Sequence, residues 1–213
     1  MTVTTANPSS SRRVASKGAA TREAILDRAY ALASMQGLEG LTIGALAEQV
    51  GMSKSGVFAH FGSREDLQLA VLDAASERFA QVVMAPALRQ PRGLPRLRAI
   101  MQHWLFDWLR HAQQLGGCLF AAAVSEFDDR PGAVREQLVF REDQWRRQLA
   151  RAVQQAIDTG ELLADTEPDQ VAFELYAIAV AVHHHSGLFD PLDARDRGMR
   201  AFKRLIRAYS PIP

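Results

Sequence analysis

Three residues in the first third of the chain are spaced as a helix-turn-helix requires. Ala47, Gly51 and Val57 follow one another as small residue, glycine and apolar residue, an order that lets two short helices cross closely through a tight turn. Gly51 can adopt the positive φ that such a turn needs. We therefore predict that residues 42–61 form two crossing helices, the second of which offers its outer face to a partner.

The outward face of that second helix is typical of a surface that reads DNA. Val57, Phe58 and Phe61 share its predicted inward side. The outward residues are Lys54, Ser55, Gly56, Ala59 and His60. Lysine can pair with a phosphate or a guanine edge and serine can bond to a base, on a surface narrow enough for the major groove. A glycine inside a helix costs about 1 kcal/mol relative to alanine, so Gly56 is interpreted either as a close-approach residue or as a tolerated surface glycine.

The elements that position this surface are predicted to be helices throughout. Helical periodicity runs almost from end to end, and no alternating run of β-branched residues is long enough for a strand, which predicts an all-α fold. Caps and glycines place the helices at about 21–36, 43–50, 54–61, 64–83, 94–115, 118–127 and 132–159, with two more after them. The first three form an N-terminal head, and the fourth joins this head to a helical body.

Prolines and glycines between residues 86 and 95 interrupt the helical pattern, so we expect a domain boundary at about 85–94. This divides the chain into a head with its linking helix (21–84) and a body (85–213). Residues 1–20 are predicted to be a disordered basic arm that carries Arg12, Arg13 and Lys17 among small and polar residues. The arm is interpreted either as a DNA contact or as a solvated terminus with no role.

The composition disfavours several other classes of protein. A hydrophobic content of 47% and a charged content of 23% indicate a globular chain. Neither a run of about 18 apolar residues nor an apolar signal core occurs, so we expect a cytoplasmic protein with no membrane partner. Cys118 is the only cysteine, which excludes an internal disulfide. The net charge of +1 neither demands nor excludes a nucleic acid.

No metal site, cofactor or catalytic group is predicted. His183, His184 and His185 are consecutive and lie about 100° apart around a helix, so they cannot all face one metal. The sequence has no glycine-rich phosphate loop or nucleophile elbow, which leaves an all-α enzyme as a remote alternative. The apolar neighbours of Cys118 predict a buried thiol and disfavour a redox sensor.

Two sets of residues in the body are candidate binding surfaces. The first could line a ligand cavity or belong to an ordinary core, and it comprises Met101, Trp104, Trp108, Phe120, Phe127, Phe140, Trp145, Phe173 and Tyr176. The second forms two stripes at spacings of three and four residues on the last two helices, Val171, Leu175, Ile178, Val182 and Met199, Phe202, Ile206, Tyr209. We predict that these stripes form a four-helix seam between two copies of the chain. The alternative is that both stripes face their own core.

Residues 42–72 resemble the DNA-binding signature of the TetR family, with the sequence TIGALAEQVGMSKSGVFAHFGSREDLQLAVL. This segment combines the Thr42 cap, the small residue and glycine of the turn, Ser53 with Lys54, aromatic residues around His60 and a capped acidic helix in one register. Residues 116–127, GGCLFAAAVSEF, are similar to a Gly-Cys-Leu segment found in many TetR body domains. The chain is therefore identified as similar to this family over both its head and its body.

The resemblance implies DNA contacts at Thr42, Ser53, Lys54, Ser55, His60 and Arg64. The family usually has a Thr-like residue at the position of Gly56 and a Tyr at that of Ala59, so contacts to the DNA backbone are expected to differ, with the basic arm as compensation. It further implies a homodimeric repressor that binds a palindromic operator and is released by a small apolar or aromatic effector. The alternative is a ligand-independent or architectural DNA-binding protein. The sequence identifies neither the effector nor the operator.

Overall fold

The computed structural model describes residues 8–211, with side chains from residue 18 onward. Every regular element in that range is helical, which confirms the predicted all-α fold. The first four helices are α1 (Pro8–Gln36), α2 (Ile43–Val50), α3 (Lys54–Phe61) and α4 (Arg64–Phe79). α4 is extended by a π-helical turn (Ala80–Met84) and a last α-helical turn (Ala85–Ala87). No helix of the described residues is long and apolar enough to cross a membrane.

Five further helices form the body within the described range. α5 consists of Leu94–Gln102, a π-helical turn (His103–Trp108) and Leu109–Gln114. After it come α6 (Leu119–Phe127), α7 (Ala133–Asp158), α8 (Pro168–Leu188) and α9 (Pro191–Ala208). α8 packs against α7 on one side and α9 on the other. The order and approximate bounds predicted for the body helices are thereby confirmed.

The predicted caps hold the two short helices of the head in place. The Thr42 hydroxyl accepts a hydrogen bond from the backbone N–H of Ala45 at 3.1 Å, and Ser53 accepts one from Gly56 at 3.1 Å. Gly51 ends α2 at φ 67°, the left-handed conformation predicted from its place in the turn. Caps of this kind satisfy N–H groups that otherwise lack a partner and contribute about 1 kcal/mol each. The bounds of α2 and α3 therefore follow from local sequence.

α1 begins at Pro8 rather than at the expected Thr21. Residues 8–20 belong to the predicted disordered arm, yet their backbone is helical. Proline is favoured in the first turn of a helix, and the alanines and arginines after it are good helix formers. Residues 1–7 and the side chains of Arg12, Arg13 and Lys17 lie outside the described part of the chain, so the DNA contact proposed for the arm stays a prediction.

Two π-helical turns, Ala80–Met84 and His103–Trp108, interrupt what the sequence predicts as unbroken helices, and they pack against each other. In the first turn the N–H of Ala85 bonds to the carbonyl of Ala80, one residue further back than in an α-helix. Pro86 follows directly and has no N–H to donate to the helical ladder. The widened turn therefore lies just before the residue that interrupts the helical hydrogen bonds.

The two stripes predicted as a dimer seam lie mostly within the chain's own core. Val171, Leu175, Val182, Phe202 and Ile206 are each at most 5% exposed. Ile178, Met199 and Tyr209 are partly buried and pack against the same core. This corrects the predicted seam, because the five buried side chains are unavailable to a second chain. Periodicity shows that a helix face is covered, but it does not show which chain covers it.

The apolar core of the head includes residues of the body and is separate from the body's own core. Leu38 and Leu41, which follow α1, are fully buried in the same cluster as Leu119 and Phe127 of α6 and Leu138 of α7. The predicted division at residues 85–94 coincides with the loop between α4 and α5. Packing crosses this division, so α6 supports the head although it belongs to the body in sequence.

Gly198 lies where α9 approaches α8, since a Cβ at this residue would be 2.4 Å from Cγ2 of Val182. We expect Gly198→Ala to lower the thermal midpoint, because the clash with a buried side chain outweighs the gain of about 1 kcal/mol in helix propensity. The control is Gly187→Ala in α8, where a Cβ would meet nothing within 4 Å and the midpoint should stay or rise. Circular dichroism melts measure both, and equal midpoints would contradict the close approach.

Candidate nucleic-acid interface and body cavity

α3 presents a polar face to solvent and an apolar face to the head. Val57 is fully buried and Phe61 nearly so, as their inward positions require. The predicted outward residues lie at the surface, with Lys54, Ser55 and Ala59 exposed and Gly56 and His60 partly exposed. The side chains that the sequence assigns to base and phosphate contacts are thus together on one accessible surface.

Phe58 is 54% exposed, which contradicts its predicted inward orientation. Val57 and Phe61 are four residues apart and share one side of α3, whereas Phe58 is turned by about 100° from Val57. Val57 and Phe61 therefore form the buried side of α3, and Phe58 lies outside it. The outward face therefore includes an apolar ring, a group that can contact a thymine methyl in the major groove.

The hydroxyl groups predicted to touch DNA also hold the starts of the helices. Thr42 caps α2, Ser53 caps α3, and the Ser53 and Ser55 hydroxyl oxygens are 3.1 Å apart. A capping hydroxyl accepts from the backbone through its oxygen and keeps a proton that it can donate. The N-terminus of a helix also carries a partial positive charge. With Lys54 beside it, the start of α3 is suited to bind a phosphate.

Arg64 is engaged within the head. Its Nε donates to the carbonyl of Leu41 at 3.0 Å, and its guanidinium forms an ion pair with Glu39 at 3.3 Å. These contacts join the start of α4 to the turn between α1 and α2 and compensate the charge of Arg64. The phosphate contact implied by the family resemblance stays a prediction for this residue.

The turn between α1 and α2 (residues 37–41, the head turn) rests on α6. The backbone N–H of Glu39 donates to Oε2 of Glu126 at 2.9 Å. Gly37 has φ 82°, and a Cβ there would lie 1.8 Å from Oε1 of the same carboxylate. Arg130 adds an ion pair to Glu39 at 3.7 Å. Glu126 therefore fixes the head turn, and with it the orientation of α2 and α3, relative to α6.

A cavity of about 920 Å³ lies among α4, α5, α6, α7 and α8 and reaches the end of α1. Its lining includes five of the side chains predicted for a ligand site, Trp104, Trp108, Phe120, Trp145 and Tyr176. Phe79 of α4 joins them, with ring centroids 4.7 Å from Trp145 and 5.9 Å from Trp104, both nearly perpendicular. The body thus contains an aromatic cavity of a size suited to a small organic molecule.

Four predicted cavity residues lie elsewhere. Met101 is fully buried in the body core, and Phe127 is buried in the core shared with the head. Phe173 is exposed on α8, and Phe140 is exposed on α7. All four follow helical periodicity, which does not distinguish a cavity wall from a filled core or from an exposed apolar residue.

Glu142 is a carboxylate that the sequence analysis missed. It lines the cavity, its Oε2 has no hydrogen-bond partner among the described residues, and the Tyr176 hydroxyl donates to its carboxylate. Burial raises the pKa of Glu142, while the bond from Tyr176 and the charge of Arg146 oppose this shift. The sequence alone could have identified this residue. Glu142 lies within the apolar stripe of α7, four residues after Leu138 and three before Trp145, at a position where a carboxylate is unexpected.

Two further groups of the cavity, His183 and Cys118, favour their neutral forms. Burial lowers the pKa of His183, and the neighbouring His184 adds to the shift, so His183 favours its neutral form. Burial raises the pKa of the Cys118 thiol, which disfavours the thiolate needed for redox chemistry. In the part of the chain that the structure covers, no group of three or more His, Cys, Asp or Glu is placed to hold a metal ion.

Known proteins resemble this chain over its head and its body. Residues 25–71 match the family model for bacterial regulatory proteins of the tetR family, and residues 93–202 match the Tetracyclin repressor-like C-terminal domain. The HTH-type transcriptional repressor AcnR of Corynebacterium glutamicum is 38% identical over 63 residues. That alignment covers 30% of this chain and only 34% of AcnR.

Solved structures share the whole fold. A TetR-family transcriptional regulator from Cytophaga hutchinsonii superposes with a TM-score of 0.80 at 19% identity, covering 92% of this chain and 98% of that one. A TetR regulator from Chloroflexus aurantiacus gives a TM-score of 0.75 at 26% identity, with 90% and 94% covered. The two family models together span the head and most of the body. The chain therefore belongs to the TetR family and is a transcription regulator with a helix-turn-helix DNA-binding head, as residues 42–72 predict.

Proposed function

We propose that the chain is a cytoplasmic repressor that binds a two-fold-symmetric operator as a homodimer and is released when a small organic ligand enters the cavity. The observation that carries this proposal is the position of Glu126. It belongs to the cavity wall, and it also holds the head turn through the Glu39 amide. A ligand that displaces this carboxylate acts directly on the orientation of the DNA-reading helices.

Two solved structures with the same fold support an operator and a ligand as partners. AibR was crystallised with isovaleryl coenzyme A and operator DNA, and its fold matches this chain with a TM-score of 0.67 at 23% identity. A transcriptional regulator from Saccharomonospora viridis was crystallised with choline, and it matches with a TM-score of 0.73 at 18% identity. These ligands are chemically unlike each other, so the ligand of this chain has to be inferred from its own cavity.

Release requires the ligand to prefer a head arrangement that does not fit DNA. A ligand shifts an equilibrium only by its difference in affinity for the two arrangements. Couplings of about 1 to 3 kcal/mol, which change DNA affinity about 5- to 150-fold, are usual for such regulators. Two recognition helices must meet successive major grooves about 34 Å apart. A tilt of each head at the Glu126 contact changes the spacing of these two helices.

The dimer surface that we propose is the outer side of α8. Phe173, Val180 and Leu188 are large, apolar and exposed, and Ala177 between them is exposed as well. Their spacing places them on one side of α8, opposite the buried residues of the same helix. Exposed apolar residues that share one side of a helix are typical of a protein interface. We propose this side of α8 as the dimer surface in place of the predicted seam, whose residues are mostly buried.

Phe173→Glu tests this surface. A charge within an apolar interface is costly to bury, so the variant is expected to be a monomer where the wild type is a dimer. Phe140→Glu on α7 is the matched control, because Phe140 is 50% exposed and Phe173 54%. Sedimentation velocity measures the mass of each protein. A dimeric Phe173→Glu protein, or a monomeric Phe140→Glu protein, would contradict the proposed surface.

Lys54→Ala tests the DNA interface. Loss of one phosphate contact should weaken binding about tenfold and flatten the dependence of log affinity on log salt by about one unit. Arg151→Ala, which removes an exposed cation from α7, is the control and should change neither quantity. Fluorescence anisotropy with the DNA upstream of the chain's own gene measures both at several salt concentrations. Equal affinity and slope for Lys54→Ala and wild type would count against Lys54 as a contact.

A further inference from the structure

We infer that the cavity takes an organic cation with bulky aromatic or apolar groups, held by the aromatic rings and by the carboxylate of Glu142. This inference rests on the proposed function, because it names the chemical class of the ligand that controls DNA binding. It is carried by three features of the cavity, which are its rings, the carboxylate oxygen of Glu142 without a partner, and the ion pair that engages the one arginine among its described lining residues.

The aromatic walls suit a cation. Phe79, Trp104 and Trp145 are mutually perpendicular within a few degrees, and the centroids of Trp104 and Trp145 are 5.0 Å apart. The π face of an aromatic ring carries negative potential and attracts an organic cation, most strongly when the ring is tryptophan. Tyr176 extends this wall, tilted by 57° from Trp104. A bulky cation can therefore bury its apolar groups and its charge against the same side chains.

Glu142 supplies a negative charge that the chain leaves incompletely compensated. One hydrogen bond reaches its carboxylate from Tyr176, and its Oε2 has no partner among the described residues. Arg146 acts on this charge from a distance, but its guanidinium lies over the Tyr176 ring at 4.8 Å and is not part of the cavity lining. Burying a carboxylate is unfavourable unless a cation or several donors accompany it, and a cationic ligand would provide that partner.

An anionic ligand would find one lysine or arginine among the described lining residues of this cavity, Arg141, and its charge is already compensated by an ion pair with Asp73. Only the Nε of Arg141 has no hydrogen-bond partner among the described residues. His183 favours its neutral form because burial lowers its pKa. The lining therefore selects against carboxylates and phosphates and in favour of positive charge.

The stability of Glu142→Gln gives a first test that needs no ligand. The pKa of Glu142 is raised above its ordinary 4.5, with Tyr176, Arg146 and Cys118 as the neighbouring titratable groups. The folded state thus holds this proton more tightly than the unfolded state, and stability is lost as pH rises above 4.5. We expect the thermal midpoint of the variant to exceed that of wild type at pH 8, with a smaller difference at pH 4.

The exposed Glu136 of α7 gives the control, because Glu136→Gln should show no such gain at pH 8. Melts followed by circular dichroism at the two pH values measure the midpoints. A Glu142→Gln protein that is no more stable than wild type at pH 8 would contradict an uncompensated carboxylate in the cavity.

Binding is tested with two probes of nearly equal shape and opposite charge, tetraphenylphosphonium and tetraphenylborate. All three tryptophans of the chain line the cavity, so intrinsic fluorescence reports on its occupancy. We expect the phosphonium to bind wild type at least about tenfold more tightly than the borate. Glu142→Gln should weaken the phosphonium about tenfold without weakening the borate, since it removes a charge and little volume. Glu136→Gln should bind both probes as wild type does.

Equal or tighter binding of the borate to wild type would overturn the inference, as would unchanged phosphonium affinity in Glu142→Gln. Anisotropy with the upstream DNA then separates the inference from the proposed function. Glu142-dependent phosphonium binding that also releases the DNA supports both. Glu142-dependent binding that leaves the DNA bound supports the ligand class and contradicts release as the mode of regulation.

Discussion

The contact between the head turn and α6 is the constraint on which the rest of the arrangement depends. Gly37 adopts φ 82° so close to Glu126 that a Cβ would be 1.8 Å from the carboxylate. Leu38 and Leu41 of the same turn are fully buried in the core that contains Leu119 of α6. Folding of the head therefore buries apolar surface of α6, and each Å² of apolar surface buried stabilises the folded state by about 25 cal/mol. The head is held against the body and does not swing on a linker.

One helix consequently serves the head and the cavity at once. Leu119, Ala123 and Phe127 follow one another every four residues and face the head core, whereas Phe120 and Val124 line the cavity. Packed helices move as rigid units between discrete arrangements, because close-packed cores are not continuously deformable. A ligand that shifts α6 therefore either carries the head turn with it or breaks the bond between Glu126 and the Glu39 amide. Under the proposed function we expect either outcome to change the orientation of α3.

Short sequence patterns predict the helix bounds of the head. The exposure of single residues depends instead on tertiary contacts. The caps at Thr42 and Ser53 depend on hydrogen bonds to residues three positions away, so short sequence patterns identify them. The exposure of Phe173 depends on which helices lie nearby, and no local pattern contains that information. Glu142 is an intermediate case. A carboxylate inside an apolar stripe is visible in the sequence, but its unpaired oxygen and aromatic neighbours emerge only from the packing of α4, α5 and α8.

The central claim is that two rigidly held heads read one two-fold-symmetric DNA site. Selection of duplexes from a random-sequence pool by the full chain, followed by sequencing, tests it most directly because no operator has to be known beforehand. We predict enrichment of two inverted half-sites at one fixed spacing, as a symmetric dimer imposes. Recovery of duplexes with no common motif, or of single half-sites at variable spacing, would contradict it.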